Sequence, residues 1–226
     1  MIGELGGGQS ATARERAYLW TREAILSGRF PEGSFLEEKV VCDEAGVSRT
    51  PVREAFHRLA AEKFINLLPR RGAQVRGVTA TELFETYDMR SVLEVHGFKI
   101  VCEKNITIPA ELSAHLDRME DPERLARCHA GDREAIAEQA KMDFSFHYSL
   151  VRATGNTVLT ELYESLQPRH QRIAVSAVSL RPKRLDVIVP EHRAIHEALV
   201  AHDFDTAAKT LRQHLHPDEA VVSHMR

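Results

Sequence analysis

Gly46-Val47-Ser48-Arg49-Thr50-Pro51-Val52-Arg53-Glu54-Ala55 packs a helix stop, a helix start and two basic side chains into ten residues. Gly46 suits the left-handed position that closes a helix, so the pattern before it predicts a short helix over 37–44. Ser48 can cap the next helix through its hydroxyl, and Pro51 is tolerated in the first turn, where its missing N–H would have had no partner. A third helix is expected over 49–62. Helix, tight turn, helix is the geometry that brings the first turns of the second member to the DNA major groove. Arg49 and Arg53, four apart, share a face of that member, and either guanidinium can fork onto O6 and N7 of guanine. Ser48 and Thr50 beside them can donate to phosphates.

Working outward, Ala17, Trp20, Ala24 and Ile25 recur at helical spacing and predict a helix over 13–27, stopped by Gly28 and Pro31-Glu32-Gly33. On the other side, extended stretches over 64–68 and 73–78 flank Pro69-Arg70-Arg71-Gly72. That segment reads as a hairpin, with Gly72 supplying positive φ and both arginines at the tip, placed for phosphate or minor-groove contact. The outline is a winged helix-turn-helix. Beyond Thr79 only helical patterns follow, over 81–104, 110–119, 122–128 (weakly), 132–153, 156–179, 182–202 and 205–214. The expected fold is mainly α, with a flexible leader over 1–12, a winged helix-turn-helix over 13–79 and an all-helical bundle over 80–226.

Composition agrees with two packed domains. The 226 residues are 43% hydrophobic, 28% charged and 6% aromatic, which excludes disordered and fibrous classes. No apolar run approaches the ~18 residues needed to cross a bilayer, and the start lacks a signal pattern, so a cytoplasmic protein without a membrane partner is expected. Cys42, Cys102 and Cys128 are odd in number and far apart, and read as reduced core residues. The net charge of -3 is divided unevenly: residues 11–79 hold twelve basic against nine acidic side chains, and the acidic excess lies in the remainder. A basic head on an acidic body suits a nucleic-acid partner.

In the body, Asp143 and His147 are four apart and project from one helix face, while His192 and His214 lie on later helices that a bundle can bring alongside. One carboxylate and three imidazoles form a set for a divalent metal, zinc foremost, or nickel, manganese or iron. A six-coordinate ion on four protein ligands keeps two positions for water or a bound carboxylate.

The segment from Gly46 to Ala55, followed by Arg58-Leu59, closely resembles the signature of GntR transcription regulators, and Pro69-Arg70-Arg71-Gly72-Ala73 falls where that family carries its wing. The resemblance implies operator contacts by Arg49 and Arg53. It also places Lys39 where these proteins often carry another DNA-contacting arginine, with the fork geometry lost. Arg58 reads equally as a helix-supporting ion pair. Asp143-Phe144-Ser145-Phe146-His147, Gly155-Asn156, Glu191-His192-Arg193-Ala194-Ile195 and His214-Leu215 are similar to motifs of the FCD effector domain in FadR-type members. In metal-binding members of that branch the matching aspartate and histidines are ligands. Body length and the weak 121–128 helix favour a six-helix, VanR-like arrangement. Arg90 matches a position that can point into the effector pocket and grip a carboxylate, or it pairs with Glu94 along its own helix. Asn156 is either a ligand contact or a helix cap. The function so implied is a homodimeric repressor that binds double-stranded operator DNA and senses a small carboxylate. The rival is a metal-dependent hydrolase built on His192 and His196, but Arg193 stands where that motif needs a glutamate base.

Overall fold

The computed structural model describes residues 12–225, so the leader expected over 1–12 lies outside the described residues except for Thr12. The chain forms two compact units, one ending at Arg76 and the other starting at Gly77.

In the first unit, α1 (Ala13–Leu26) starts where the Thr12 hydroxyl accepts from the Glu15 amide. It buries Ala17, Tyr18, Thr21 and Ala24. Gly46 takes φ 63° and ends α2 (Glu38–Ala45), its N–H donating to Cys42 O. The chain turns there into α3 (Arg49–Ala61), whose inner face buries Val52, Ala55, Phe56 and Leu59. Ser48 holds the N-cap position with an extended backbone, but its hydroxyl makes no capping bond, contrary to expectation. The wing is β2 (Ile65–Leu68) against β3 (Gly72–Val75), antiparallel, with Leu68 opposite Gly72. Gly72 has φ 86°, and Arg70 also takes a positive φ of 63°. An unexpected strand, β1 (Phe35–Leu36), pairs with β3 and completes a three-stranded sheet in the order β1-β3-β2. Two residues are too few to register as an alternating pattern, so only the partner strand defines it.

The second unit is helical. It runs through α4 (Ala80–Glu103), α5 (Glu111–Met119), α6 (Pro122–His129), α7 (Arg133–Ala153), α8 (Thr157–Glu164), α9 (Gln167–Leu180), a 3-10 turn at Pro182–Arg184, α10 (Leu185–Val200), α11 (Phe204–His214) and α12 (Glu219–Val222). The helix expected over 156–179 is two helices. Pro168 sits in the first turn of α9, where its ring would clash with the carbonyl four residues back in a continuous helix. The 122–128 segment is a capped helix, Asp121 accepting from the Arg124 amide at 2.8 Å. The described residues therefore hold more helical segments than the six-helix arrangement. Helix α7 is central, packing against α4, α5, α6, α8 and α9. Phe98, Phe146, Leu150, Ile195, Leu199 and Leu211 fill the core between α4, α7, α10 and α11. Cys128 is buried, Cys42 and Cys102 are partly exposed, and all three are free thiols. No helix among the described residues is long and apolar enough to cross a membrane.

Candidate metal centre and nucleic-acid interface

Position along α7 sets the first half of the buried cluster. Asp143 and His147 lie one turn apart on its inner face, His192 comes from α10 and His214 is the last residue of α11. All four are buried, and one ligand atom from each lies within 4.8 Å of the others. The rings of His192 and His214 are 4.5 Å apart between centroids, and His147 is 5.0 and 5.1 Å from them.

Carboxylates orient two of the rings. His214 Nδ1 lies 3.0 Å from Glu191 Oε2, and His147 Nδ1 lies 2.7 Å from Glu94 Oε2, which leaves both Nε2 atoms for the centre of the cluster. His170 Nε2 holds Asp143 Oδ2 at 2.8 Å, leaving Oδ1 inward. His192 Nε2 stands 2.8 Å from that Oδ1 without hydrogen-bond geometry, and His147 Nε2 is buried without a partner. Two ligands held about 2.1 Å from one ion at right angles are themselves about 3.0 Å apart, so the residues present fit a shared divalent cation. Carboxylates behind ligating imidazoles are the usual means of fixing ring orientation.

Electrostatics set the protonation that ligands need. Burial pushes His147 down to about 4, against the pull of Glu94. Burial and the neighbouring His192 push His214 down to about 3. Burial works to raise Asp143, but His192 and His170 outweigh it and hold the carboxyl well below its usual range. Burial likewise opposes ionisation of Glu94, and Arg90 with His147 overcomes it. At neutral pH the cluster thus sets an ionised Asp143 beside the neutral imidazoles of His147 and His214.

Arg90 makes the intrahelical pair and also faces a cavity. Its Nε donates to Glu94 Oε1 at 2.8 Å, the intrahelical pair, while its buried Nη2 has no partner and the side chain lines a cavity beside Asp143, His170 and His214. Tyr163 adds a 2.8 Å hydrogen bond to the same Glu94 oxygen. Asn156 is exposed, caps α8 by accepting from the Leu159 amide at 3.1 Å and does not line that cavity, so the structure gives it the cap role. His170, Glu94 and Glu191 support the cluster; from sequence, Glu94 stands out only as a partner of Arg90 and Glu191 only within a motif, and His170 does not stand out. Glu191 adjoins His192 and Glu94 stands four residues from Arg90, the local signals among them. The hydrolase geometry is absent, since Arg193 is tied to Glu120 at 2.7 Å and Asp117 at 2.8 Å, and His196 is outside the cluster.

On the first unit, Ser48, Arg49, Thr50 and Arg53 are exposed at the start of α3, and Arg70, Arg71 and Gly72 are exposed on the wing. Arg53 Nε donates to Glu38 at 2.8 Å. Lys39 pairs with Asp43 along α2 at 2.7 Å. Arg58 bridges Glu15 and Glu62 at 3.0 Å each and lies over the Tyr18 ring at 3.6 Å, the helix-supporting role.

A winged helix-turn-helix followed by a helical body with a buried polar cluster defines a DNA-binding transcription regulator. The chain belongs to the GntR family of bacterial regulatory proteins, its residues 13–75 matching that family and residues 85–217 matching the FCD domain. It is 30% identical over 197 residues to the gluconate operon transcriptional repressor of Bacillus licheniformis, covering 85% of this chain and 77% of the relative. The gluconate operon transcriptional repressor of Bacillus subtilis is 29% identical over the same shares. A crystal structure of a GntR transcriptional regulator from Rhodococcus sp. RHA1 superimposes with a TM-score of 0.74 at 25% identity, covering 96% of this chain and all of that one. These are regulators and not enzymes.

Proposed function

We propose that this regulator is a cytoplasmic, homodimeric transcriptional repressor whose helical body holds a divalent metal ion and releases operator DNA in response to a small organic acid. Residues 13–79 are assigned to DNA binding and 80–226 to effector binding and dimerisation. The observation that carries the reading is the convergence of Asp143, His147, His192 and His214 from three helices, with buried imidazole nitrogens left unpartnered at its centre. Zinc is the first choice for one carboxylate and three imidazoles, with nickel, manganese and iron as alternatives set by availability. A bound ion supplies Lewis acidity that attracts a carboxylate. Arg90, lining the adjoining cavity with a free Nη2, is placed to grip the same group.

On DNA, Arg49 and Arg53 are assigned to base edges. Ser48, Thr50, Lys39 and the wing residues Arg70, Arg71 and Gly72 are assigned to the backbone. Two copies joined through their bodies place two recognition helices on a palindromic site. Elemental analysis after exhaustive dialysis tests the centre: wild type is expected to retain close to one metal ion per chain, and His147→Ala and His214→Ala to lose it. Wild type that takes up none on reconstitution removes the metal from the proposal and leaves the DNA-binding assignment standing.

A further inference from the structure

The cavity next to the cluster has polar groups at both ends, and they differ in how far they are satisfied. At the inner end, Arg90 Nη2 is buried without a partner beside Asp143 and His214. At the outer end, Asp218 is held by Arg181 Nη1 at 2.6 Å, and Arg184 Nη2 donates to His216 O at 3.3 Å. Arg90 thus offers a buried charged donor without a partner, whereas the Asp218 carboxylate is already held by a cation and Arg184 is bonded to a neutral carbonyl. Leu83, Ala174, Ala177, Val178, Ile188 and Val221 form an apolar stretch of the lining, with Tyr87 beside them, while the imidazoles of His170, His214 and His216 belong to its polar part.

Part of that wall lies beyond the FCD match, which stops at residue 217. Asp218 caps α12 by accepting from the Ala220 amide, and α12 turns Val221 into the cavity. Val221 and Met225 pack with Leu83, Ile173 and Val78, which fixes the tail against α4 and α9.

Resting on the proposed carboxylate site, we propose that the effector is a monocarboxylate with a short aliphatic body rather than a polyhydroxylated sugar acid, and that Val221 of the C-terminal tail helps select it. The carboxylate meets Arg90 and the cluster, and the body lies along the apolar wall. A sugar acid would bring a hydroxyl on almost every carbon, and those on its middle carbons would lie against the apolar stretch of Leu83, Ala174, Ala177, Val178, Ile188 and Val221. Each hydroxyl buried without a partner weakens binding by roughly tenfold or more.

The test is calorimetric titration of the full-length, zinc-loaded protein with butanoate, hexanoate and gluconate, with metal content read on the same samples. One of the aliphatic acids is expected to bind at least about tenfold more tightly than gluconate. Val221→Thr and Ala177→Ser, which add a hydroxyl with little change of shape, are expected to weaken that acid roughly tenfold while retaining the metal. Gluconate binding as tightly as the aliphatic acids overturns the inference and leaves the carboxylate site standing. Unchanged affinity in both variants overturns the selection by the wall. Metal-bearing protein that binds none of the acids overturns the inference together with the effector site beneath it. If wild type retains no metal, the same titration on the metal-free protein decides by the same preference.

Discussion

Arg49 and Arg53 face the same way from α3, yet their surroundings differ. Arg53 is already drawn to Glu38, while Arg49 is exposed and has no such tie among the described residues. Arg49 is therefore the better-placed base reader. Arg49→Ala is expected to cost about 1–3 kcal/mol on operator DNA and much less on random DNA, measured by fluorescence anisotropy at fixed salt. Equal losses on both would make it a phosphate contact. Inside the body, His147 and His214 titrate near 4 and 3 in the folded chain, against about 6.5 when unfolded. As pH falls below about 6.5 the unfolded imidazoles take up protons first, so uptake favours unfolding until the folded values are passed. The metal-free protein is thus expected to lose thermal stability steadily from about pH 7 to pH 4, and metal retention to fail over the same range. A melting temperature that stays flat there would mean the imidazoles are not buried and neutral.

At the scale of elements, the head depends on one backbone torsion. Gly46 at φ 63° reverses the chain between α2 and α3, and a Cβ added there would meet nothing within 4 Å. The cost of Gly46→Ala is then conformational alone, about 1 kcal/mol, read as a melting temperature lower by a few degrees. A neutral result would mean that the turn adopts another conformation in solution. Along the body, whole elements were readable because their signals are local. Thr79, Asp121, Asp132 and Asp203 each accept from an amide two or three residues on, and each begins a helix. The break at Pro168 was equally local, but the strong pattern around it reads as one helix. Strand β1 was illegible for the opposite reason, since it exists only through its pairing with β3.

For the molecule as a whole, the proposal requires a ligand in the body to alter affinity in the head. A coupling of about 1–3 kcal/mol would weaken operator binding by roughly fivefold to over a hundredfold. Operator titrations with and without a saturating acid measure it directly. An acid that binds the body and leaves operator affinity unchanged would end the claim of coupling while sparing both sites. Family membership fixes the fold and not the ligand: most of the cavity wall lies within the FCD match, and only Leu83, Asp218 and Val221 of its lining fall outside it.

By itself the sequence determined the turn at Gly46, the two arginines on one face, the basic wing and the pairing of Asp143 with His147, because each follows from spacings of a few residues along one element. Family resemblance extended that to His192 and His214. Only the tertiary structure decided that His170 braces Asp143, that Glu94 joins Arg90, Tyr163 and His147, and that Arg58 supports α1. Those partners come from helices far apart in the chain, or from neighbours whose spacing permits several pairings. Packing alone brings them within hydrogen-bond reach and selects among them.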